Sequence, residues 1–311
     1  MNQNKNIFEK VTKDINPLNI CSKTVYSQLI IEYFSYYGFQ YDNVEHVFGT
    51  FKFRDYSLAA HIFLPSTYNS AVLLMHGYLD HTGLLSSTIK HLLSKGYLVA
   101  AYDMPGHGVS SGEPSGIDSF PTYTNIMEEF IGILKKNFNI PINIIGHSTG
   151  GAVTIDYMLS RDSAEIEKVV LIAPLVHSYL WNVSVYSYPF LSGFAKRVPR
   201  VFRISSSDKE FVRFNRLDPL QQWSVPLGWL KALTDWNKSI YRYNPNEKKM
   251  LVLQGMNDTV VDWKYNMKLI KNKFPNSEIM YFKSGNHHLL NEAAEIRSEV
   301  FKVIDTKGLA I

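Results

Sequence analysis

Five consecutive residues, Gly146, His147, Ser148, Thr149 and Gly150, form the pattern Gly-x-Ser-x-Gly. A short apolar run precedes them and a helix-like segment follows, which is the strand–turn–helix setting of a nucleophile elbow. In such a turn the serine hydroxyl is exposed at the carboxyl end of the strand, and its neighbours must be small because backbone passes close by. The alternative is a glycine-rich turn that merely links strand to helix, and the setting favours the catalytic interpretation. We predict that Ser148 is a nucleophile and that Gly146 and Gly150 are the small residues of the elbow.

A serine nucleophile needs a general base, and the base needs an acid that orients it. Two adjacent histidines, His287 and His288, follow the last predicted strand and come after the serine, in the chain order known for such elbows. Adjacent side chains of an extended segment point to opposite sides, so only one of the two can face the serine. We predict His287 as the base and keep His288 as the alternative. The same opposition argues against a metal ion bound by the pair, and we predict no metal.

The acid is predicted to be Asp258, which lies in the loop after an apolar run that ends at Leu253. Asp262 is a rival four residues further on, but it is expected to lie already in the next helix. His147 is next to the serine, yet the turn should direct its side chain away from the hydroxyl. We therefore expect His147 to be a packed structural histidine rather than the base.

Acyl transfer also needs two backbone amides that bind the oxyanion of the tetrahedral intermediate. Thr149, directly after the nucleophile, is predicted to supply one amide. The second should come from the loop at residues 76–83, which follows an earlier strand. We predict the amide of Tyr78 there, with the tyrosine side chain free to close over an acyl chain. The alternative for this loop is an ordinary glycine turn.

The elements that must position these residues follow from the apolar pattern. Short apolar runs that alternate with helix-like segments indicate parallel strands joined by crossover helices, and runs that are apolar throughout indicate strands covered on both faces. The predicted strands are 71–75, 97–102, 142–145, 168–172, 250–253 and 279–282, and the predicted helices are 84–93, 119–138, 152–159 and 292–303. Residues 45–53 and 56–63 are predicted to form an antiparallel hairpin at the sheet edge, and residues 24–36 an N-terminal helix packed on the body.

The alternation fails between about residues 175 and 236, where the chain is aromatic and basic and contains proline. A stretch of this length inside a compact domain is typically a functional lid rather than a structureless loop. We predict a lid insertion at 175–236 within a catalytic domain at 45–311, which an N-terminal extension at 1–44 precedes. The lid aromatics either contact an apolar acyl group or form the core of the lid itself, and the sequence leaves both open.

The composition excludes several other classes of protein. The chain has 311 residues, of which 45% are hydrophobic and 19% charged, as is typical of a globular protein. Its formal net charge of +4 is small and diffuse, so we predict no nucleic-acid partner. Cys21 is the only cysteine, which excludes an intramolecular disulfide. No apolar run approaches the roughly 20 residues that cross a bilayer, and residues 1–19 lack a secretory signal, so we expect a cytoplasmic protein whose membrane association would be peripheral. The sequence does not indicate an oligomeric state.

Taken together, these motifs resemble the α/β-hydrolase fold and, within it, the monoacylglycerol lipase and lysophospholipase group, which is also labelled serine aminopeptidase-like. The resemblance runs from about Pro17 to the C-terminus. Its marks are the elbow, residues 255–262, and the segments His76-Gly77, Asp80-His81, Asp103-Met104-Pro105-Gly106-His107-Gly108 and His287-His288-Leu289-Leu290-Asn291-Glu292.

The resemblance also bears on single residues. The group typically has His followed by Glu-Leu-Leu-Asn-Glu, and the position of Glu292 aligns the catalytic histidine of the group with His287. The chain departs from the group at Met104 and Pro105, where an arginine is usual, which should alter the packing beneath the site. The second departure is the bulky oxyanion residue Tyr78, which should narrow the acyl entrance.

The resemblance implies an α/β protein with a mostly parallel sheet, helices on both faces and a helical lid. It implies hydrolysis of a carboxylic ester through an acyl-enzyme, without a metal or an organic cofactor. Monoacylglycerol or lysophospholipid is the expected substrate, and the basic lid would meet a phosphate head group or an anionic membrane surface. A short-chain carboxylesterase and an aminopeptidase-like peptidase on the same triad are the alternatives. A non-enzymatic binding protein is disfavoured because no residue of the triad is missing.

Overall fold

The computed structural model describes residues 10–309, so residues 1–9 of the predicted N-terminal extension and residues 310–311 lie outside the described part. The strands are β1 (Val44–Phe53), β2 (Tyr56–Pro65), β3 (Ala71–Met75), β4 (Leu98–Tyr102), β5 (Ile142–His147), β6 (Ile166–Ile172), β7 (Arg197–Pro199), β8 (Ser224–Pro226), β9 (Leu251–Gly255) and β10 (Glu278–Phe282). Apart from β7 and β8, they form one eight-stranded sheet in the order β1-β2-β4-β3-β5-β6-β9-β10. The predicted hairpin β1–β2 is antiparallel, as is β2 with β4, and the other pairs of this sheet are parallel.

Both faces of the sheet are buried, which explains why a central strand such as β3 is apolar throughout. Leu73 of β3 belongs to a core cluster on one face, whereas Val72 and Leu74 belong to a second cluster on the other face. Alternate residues of a strand point to opposite faces, so a strand that is covered twice needs apolar residues at every position.

Helices cover the two faces. They are α1 (Gln28–Tyr37), α2 (Ser86–Ser94), α3 (Phe120–Asn137), α4 (Thr149–Ser160), α5 (Trp181–Ser192), α6 (Lys209–Leu217), α7 (Leu227–Ile240), α8 (Trp263–Lys273) and α9 (Ala294–Val303). Side chains of α3, α4 and α7 enter the first core cluster, and side chains of α1, α2 and α9 enter the second. The predicted fold class, a mostly parallel sheet with helices on both faces, is confirmed.

The predicted helices differ from the observed ones mainly at their ends. The helix predicted from Ala152 already begins at Thr149, because the turn before it is completed by a single residue, Ser148, at φ 50°. The predicted N-terminal helix is α1, which begins only after Ser27, whose side chain accepts a hydrogen bond from the amide of Ile30. Helix α8 is the helix in which Asp262 is expected to lie, and it begins one residue later, at Trp263.

Residues 175–236, the predicted lid, contain α5, α6, the short antiparallel pair β7–β8 and most of α7, which continues to Ile240. Helix α5 has no buried side chain, whereas α7 buries Leu233 and Trp236. Most of the exposed large apolar side chains of residues 10–309 belong to this region. Within residues 175–236, the most exposed large apolar side chains are those of Val183, Tyr186, Phe190, Phe194, Val201 and Ile204. No helix of the described part is long and apolar enough to span a membrane.

Candidate active site

Ser148 occupies a sharp turn between β5 and α4. Its backbone has φ 50° and ψ −112°, a conformation that non-glycine residues rarely adopt. The turn is held by its neighbours, because the amide of Ser148 donates to the carbonyl of Ile172 at 2.9 Å and its carbonyl accepts from Leu175 at 3.0 Å. A strained residue that several hydrogen bonds hold in place is typical of a functional site.

The two glycines of the pattern are required by space. A Cβ atom on Gly146 would lie 2.7 Å from the carbonyl oxygen of Gly150, and one on Gly150 would lie 2.6 Å from that of Met75. Both distances are shorter than real Cβ contacts, and the atoms that they meet belong to backbone. The close approach of neighbouring chain explains why the elbow needs small residues on both sides of the serine.

Three predicted residues form one chain of hydrogen bonds. His287 Nε2 lies 2.9 Å from Ser148 Oγ, and His287 Nδ1 lies 2.8 Å from Asp258 Oδ2. An ionised carboxylate only accepts hydrogen bonds, so Nδ1 carries the proton and Nε2 accepts from the serine hydroxyl. All three side chains are buried. This is the arrangement in which a histidine can remove a proton from a serine.

The environment keeps Asp258 ionised. Burial by itself raises the pKa of this carboxyl, but the charge and hydrogen bond of His287 and the amides of Val260 and Val261 outweigh it, so the pKa lies below its ordinary value. Gln254, the penultimate residue of β9, donates to the same oxygen as His287, at 3.1 Å. Gln254 is not among the predicted site residues, and its polar side chain in an otherwise apolar strand is the signal that identifies it.

The rival residues have other partners. Asp262, the alternative acid, is the N-cap of α8 and accepts from the amide of Tyr265 at 3.2 Å. His288, the alternative base, faces Asp80, with 3.6 Å between Nε2 and the nearer carboxylate oxygen. His147 is buried, and its Nε2 lies 3.2 Å from the carbonyl oxygen of His287. Its side chain therefore contacts the loop of the base rather than the serine hydroxyl.

Two amides near the serine are available to an oxyanion. Among residues 10–309, the backbone N–H groups of Thr149 and Tyr78 donate no hydrogen bond, whereas the amide of Gly150 donates to the carbonyl of His76. That bond ties the elbow to the loop that carries Tyr78. His76 itself accepts from the amide of Met104 at 2.9 Å, so its ring fixes the base of this loop.

The expectation that the Tyr78 side chain is free to close over an acyl chain is wrong. Its hydroxyl donates to the carbonyl of Ser115 at 2.8 Å, and its ring stacks on Trp229 of α7 with 3.7 Å between centroids. Trp229 lies about 150 residues further along the chain, so no local pattern shows this contact. Tyr78 joins the oxyanion loop to the lid instead of swinging over the site.

A buried carboxylate joins the lid to the loop of the base. Glu292 accepts from the amide of Asn286 at 2.5 Å on one oxygen and from the amide and hydroxyl of Ser207 at 2.6 and 2.5 Å on the other. The amide of His288 also donates to the carbonyl of Ser205 at 2.7 Å. Residues 205–207 of the lid and the segment that carries His287 are therefore held together.

A second buried pair holds the lid from the other side. His81 Nε2 lies 3.2 Å from Asp218 Oδ2, and Tyr37 of α1 donates to the other oxygen at 3.1 Å. Burial lowers the pKa of His81, but the charge of Asp218 and its hydrogen bond outweigh this, and the pKa is raised above the ordinary value. The lid is thus anchored to the oxyanion loop and to the N-terminal helix.

A cavity of about 720 Å³ lies between α5 and the start of α8. Trp181, Trp263 and Asp258 contribute to its wall, whereas Ser148 and His287 do not. Its volume suits a small-molecule ligand. Three further groups meet beside the site, namely Asp80, His147 and His288, and they are of the types that ligate metal ions.

The sheet, its covering helices and the serine at the carboxyl end of β5 define an α/β-hydrolase. Residues 67–294 match the sequence family described as serine aminopeptidase, S33. The match covers more than half of the chain, and the chain belongs to this family.

Several lipases are similar to the chain in sequence. It is 27% identical over 261 residues to the monoglyceride lipase homolog of Monkeypox virus, which covers 78% of this chain and 90% of the viral protein. It is also 27% identical over 264 residues to the monoglyceride lipase of Saccharomyces cerevisiae, with 74% of this chain and 81% of the yeast protein covered.

The fold is also found in solved structures. A soluble variant of the yeast monoglyceride lipase in complex with a substrate analog superposes with a TM-score of 0.72 at 20% identity, and covers 84% of this chain and 94% of that one. The monoacylglycerol lipase of Paleococcus ferrophilus has a TM-score of 0.68 at 22% identity, with 79% and 96% covered. These matches confirm the predicted resemblance to the α/β-hydrolases and the monoacylglycerol lipase group.

Proposed function

We propose that the protein is a serine hydrolase that cleaves the carboxylic ester of a lipid-like substrate, a monoacylglycerol or a lysophospholipid, through an acyl-enzyme. The observation that carries the proposal is the hydrogen-bonded chain from Ser148 through His287 to Asp258. The names of the similar proteins, monoglyceride lipases from a virus and from yeast, support the choice of a lipid ester.

In the first step His287 Nε2 takes the proton of Ser148, and the serine oxygen attacks the ester carbonyl. Asp258 keeps the proton of His287 on Nδ1 and stabilises the imidazolium that forms. The amides of Tyr78 and Thr149 bind the oxyanion. The leaving alcohol receives the proton from the imidazolium, and the acyl group remains on the serine.

In the second step a water molecule replaces the alcohol. His287 takes a proton from the water, the hydroxide attacks the acyl carbonyl, and the same two amides bind the second oxyanion. Protonation of Ser148 by the imidazolium releases the carboxylic acid. These steps use groups of the chain itself and draw on no metal or organic cofactor.

The substrate must pass the lid to reach the serine. Ser148 and His287 are 5% and 4% exposed, so access to them depends on the segments that cover them. We assign that role to residues 175–236, as the lid of a catalytic domain at 45–311 with the N-terminal extension 1–44. The exposed apolar residues of the lid, such as Tyr186 and Phe190, together with its basic residues, would bring it into peripheral contact with a lipid surface.

A hydrolysis panel tests the proposal. Wild type and Ser148→Ala are compared on monoacylglycerols, lysophosphatidylcholine, short p-nitrophenyl esters and aminoacyl amides. We expect turnover of the lipid esters, with kcat at least about 10³-fold lower in Ser148→Ala. Gly132→Ala in α3 is a matched surface control, since Gly132 is exposed and no neighbour lies within 4 Å of its Cβ, and it should retain activity. Turnover of short esters alone would make the protein a general carboxylesterase, and turnover of the amides alone would make it a peptidase.

A further inference from the structure

Three ligand-type side chains meet beside the catalytic residues without taking part in the reaction. They come from three different segments, with Asp80 in the oxyanion loop, His147 in the elbow and His288 in the loop of the base. All three are buried, and one ligand atom of each lies within 4.8 Å of the other two. Asp80 Oδ2 is 3.6 Å from His147 Nδ1 and 3.6 Å from His288 Nε2.

These separations are too long for hydrogen bonds but suit a shared cation. A hydrogen bond between nitrogen and oxygen spans about 2.7–3.2 Å. Zinc binds histidine nitrogen and carboxylate oxygen at about 2.0–2.2 Å, so two ligands of a tetrahedral site lie roughly 3.4 Å apart. The two separations to Asp80 Oδ2, 3.6 Å each, are close to that spacing.

The tautomer of His147 also favours a cation between His147 and Asp80. Its Nε2 faces the carbonyl oxygen of His287 at 3.2 Å, and a carbonyl accepts only from a protonated nitrogen. In the neutral ring Nδ1 then carries a lone pair, which points at the carboxylate of Asp80. Nδ1 is buried and has no hydrogen-bond partner among residues 10–309. Two lone pairs that face each other repel, and a cation between them removes the repulsion.

The same carbonyl contact is one that the histidine ligands of metal ions usually make. A histidine that ligates a metal typically donates its other N–H to a carboxylate or a backbone carbonyl, which fixes the tautomer. His147 has this arrangement, with Nδ1 toward Asp80 and Nε2 toward the carbonyl of His287. Adjacent side chains point to opposite sides, which excludes a metal ion held by His287 and His288 together. Here only His288 of that pair is a ligand.

We propose that Asp80, His147 and His288 form a regulatory site for a zinc-type divalent cation, and that its occupancy slows hydrolysis. Two imidazoles and one carboxylate leave the fourth position of a tetrahedral zinc to water. The rings of His147 and His287 have centroids 5.0 Å apart, so the cation would repel the imidazolium that His287 becomes during acyl transfer. The effect on rate rests on the proposed function, whereas the binding does not.

The lid supplies a competing charge. The guanidinium of Arg200 interacts electrostatically with Asp80 and with His288. It has no carboxylate within salt-bridge distance in the described part of the chain, and the carbonyl group of the Gln221 side chain is its hydrogen-bond partner. Arg200 partly neutralises Asp80 when no metal is bound, so its removal should favour the cation.

Zinc binding by the full chain tests the site. The protein is stripped with a chelator and titrated calorimetrically with zinc chloride, in a Cys21→Ser background because the exposed thiol of Cys21 could bind zinc itself. Ser148→Ala is added in one series, so that the measurement is independent of hydrolysis. We expect one zinc ion per chain, at least tenfold weaker binding in His288→Ala, and tighter binding in Arg200→Gln.

Asp80→Asn and His91→Ala complete the design. Asp80→Asn keeps the size of the side chain but removes its charge, so it tests the site even where His288→Ala fails to fold. His91→Ala removes a half-buried histidine that pairs with Asp305 and not with the cluster, and it should bind zinc like its parent. Cobalt gives a second readout, because tetrahedral coordination produces an intense visible absorption band. Binding that is absent, or equal in Asp80→Asn and its parent, would overturn the site. Binding with unchanged ester turnover would overturn its regulatory role alone.

Discussion

The anchor between the lid and the base can be tested by a change of one atom, Glu292→Gln. The carboxylate is fully buried and accepts hydrogen bonds from both sides. A glutamine can keep the bond from Asn286, but its amide nitrogen then faces the amide of Ser207, which loses its acceptor. The loss of a charge-assisted hydrogen bond at this partly buried amide costs about 1.5–3 kcal/mol.

The change should also reach the chemistry. Asn286 precedes His287 directly, and a displacement of about 1 Å in a reacting group can cost on the order of 10²-fold in rate. We expect kcat on a short p-nitrophenyl ester to fall about 10–100-fold, with a smaller change in KM, because the loosened loop carries the base and not the binding surface.

Urea unfolding and steady-state kinetics on the same preparations give both numbers. Ser207→Ala is the matched variant, because it removes only the hydroxyl on the lid side of the anchor and should cost about 1–2 kcal/mol with a smaller loss of kcat. If Glu292→Gln unfolded within about 0.5 kcal/mol of wild type and kept its kcat, the carboxylate would not couple the lid to His287, and the reasoning would be refuted.

Three further changes test other parts of the site. Asp258→Asn should lower kcat by about 10⁴-fold, since the amide favours the wrong tautomer of the histidine, and a smaller loss than tenfold would assign the acid elsewhere. Gly146→Ala should destabilise the elbow, because the new Cβ would lie 2.7 Å from a backbone oxygen, and a thermal melt equal to that of wild type would contradict this. His81→Gln tests the buried ion pair through the pH dependence of the free energy of unfolding. Because the pKa of His81 is raised in the folded state, its contribution to stability is complete below about pH 6.5 and disappears as the pH rises through the folded pKa. The difference in unfolding free energy between wild type and His81→Gln should therefore shrink between pH 6 and pH 9, and a difference that grew with pH would show that the sign is wrong.

The strands and the elbow could be predicted because their causes are local. A strand that is covered twice must be apolar at every position, so β3, β5 and β9 are visible as short apolar runs. The glycines beside Ser148 are visible for the same reason, since a close approach of backbone permits nothing larger. The end of β5 and the start of α4 fix the turn in which the serine lies.

The contacts of the lid could not be predicted, because they join distant parts of the chain. The stacking of Tyr78 on Trp229 and the pairing of His81 with Asp218 depend on how the lid packs, and no local pattern shows which distant residue each of them contacts. Helix α5 has apolar residues on all sides, and α6 has a strongly amphipathic pattern. Neither helix places a fully buried apolar side chain in the two core clusters. Asp80, His147 and His288 likewise come together from three separate segments of the chain, and their spacing in the sequence does not predict this.

The exposure of α5 has a consequence for how such proteins diverge. A side chain in a core constrains its neighbours, so core substitutions are removed by selection or need compensation. Helix α5 buries no side chain, and its sequence is therefore free of that constraint. In descendants of one ancestral gene this helix should change faster than the strands of the central sheet, while the fold is retained.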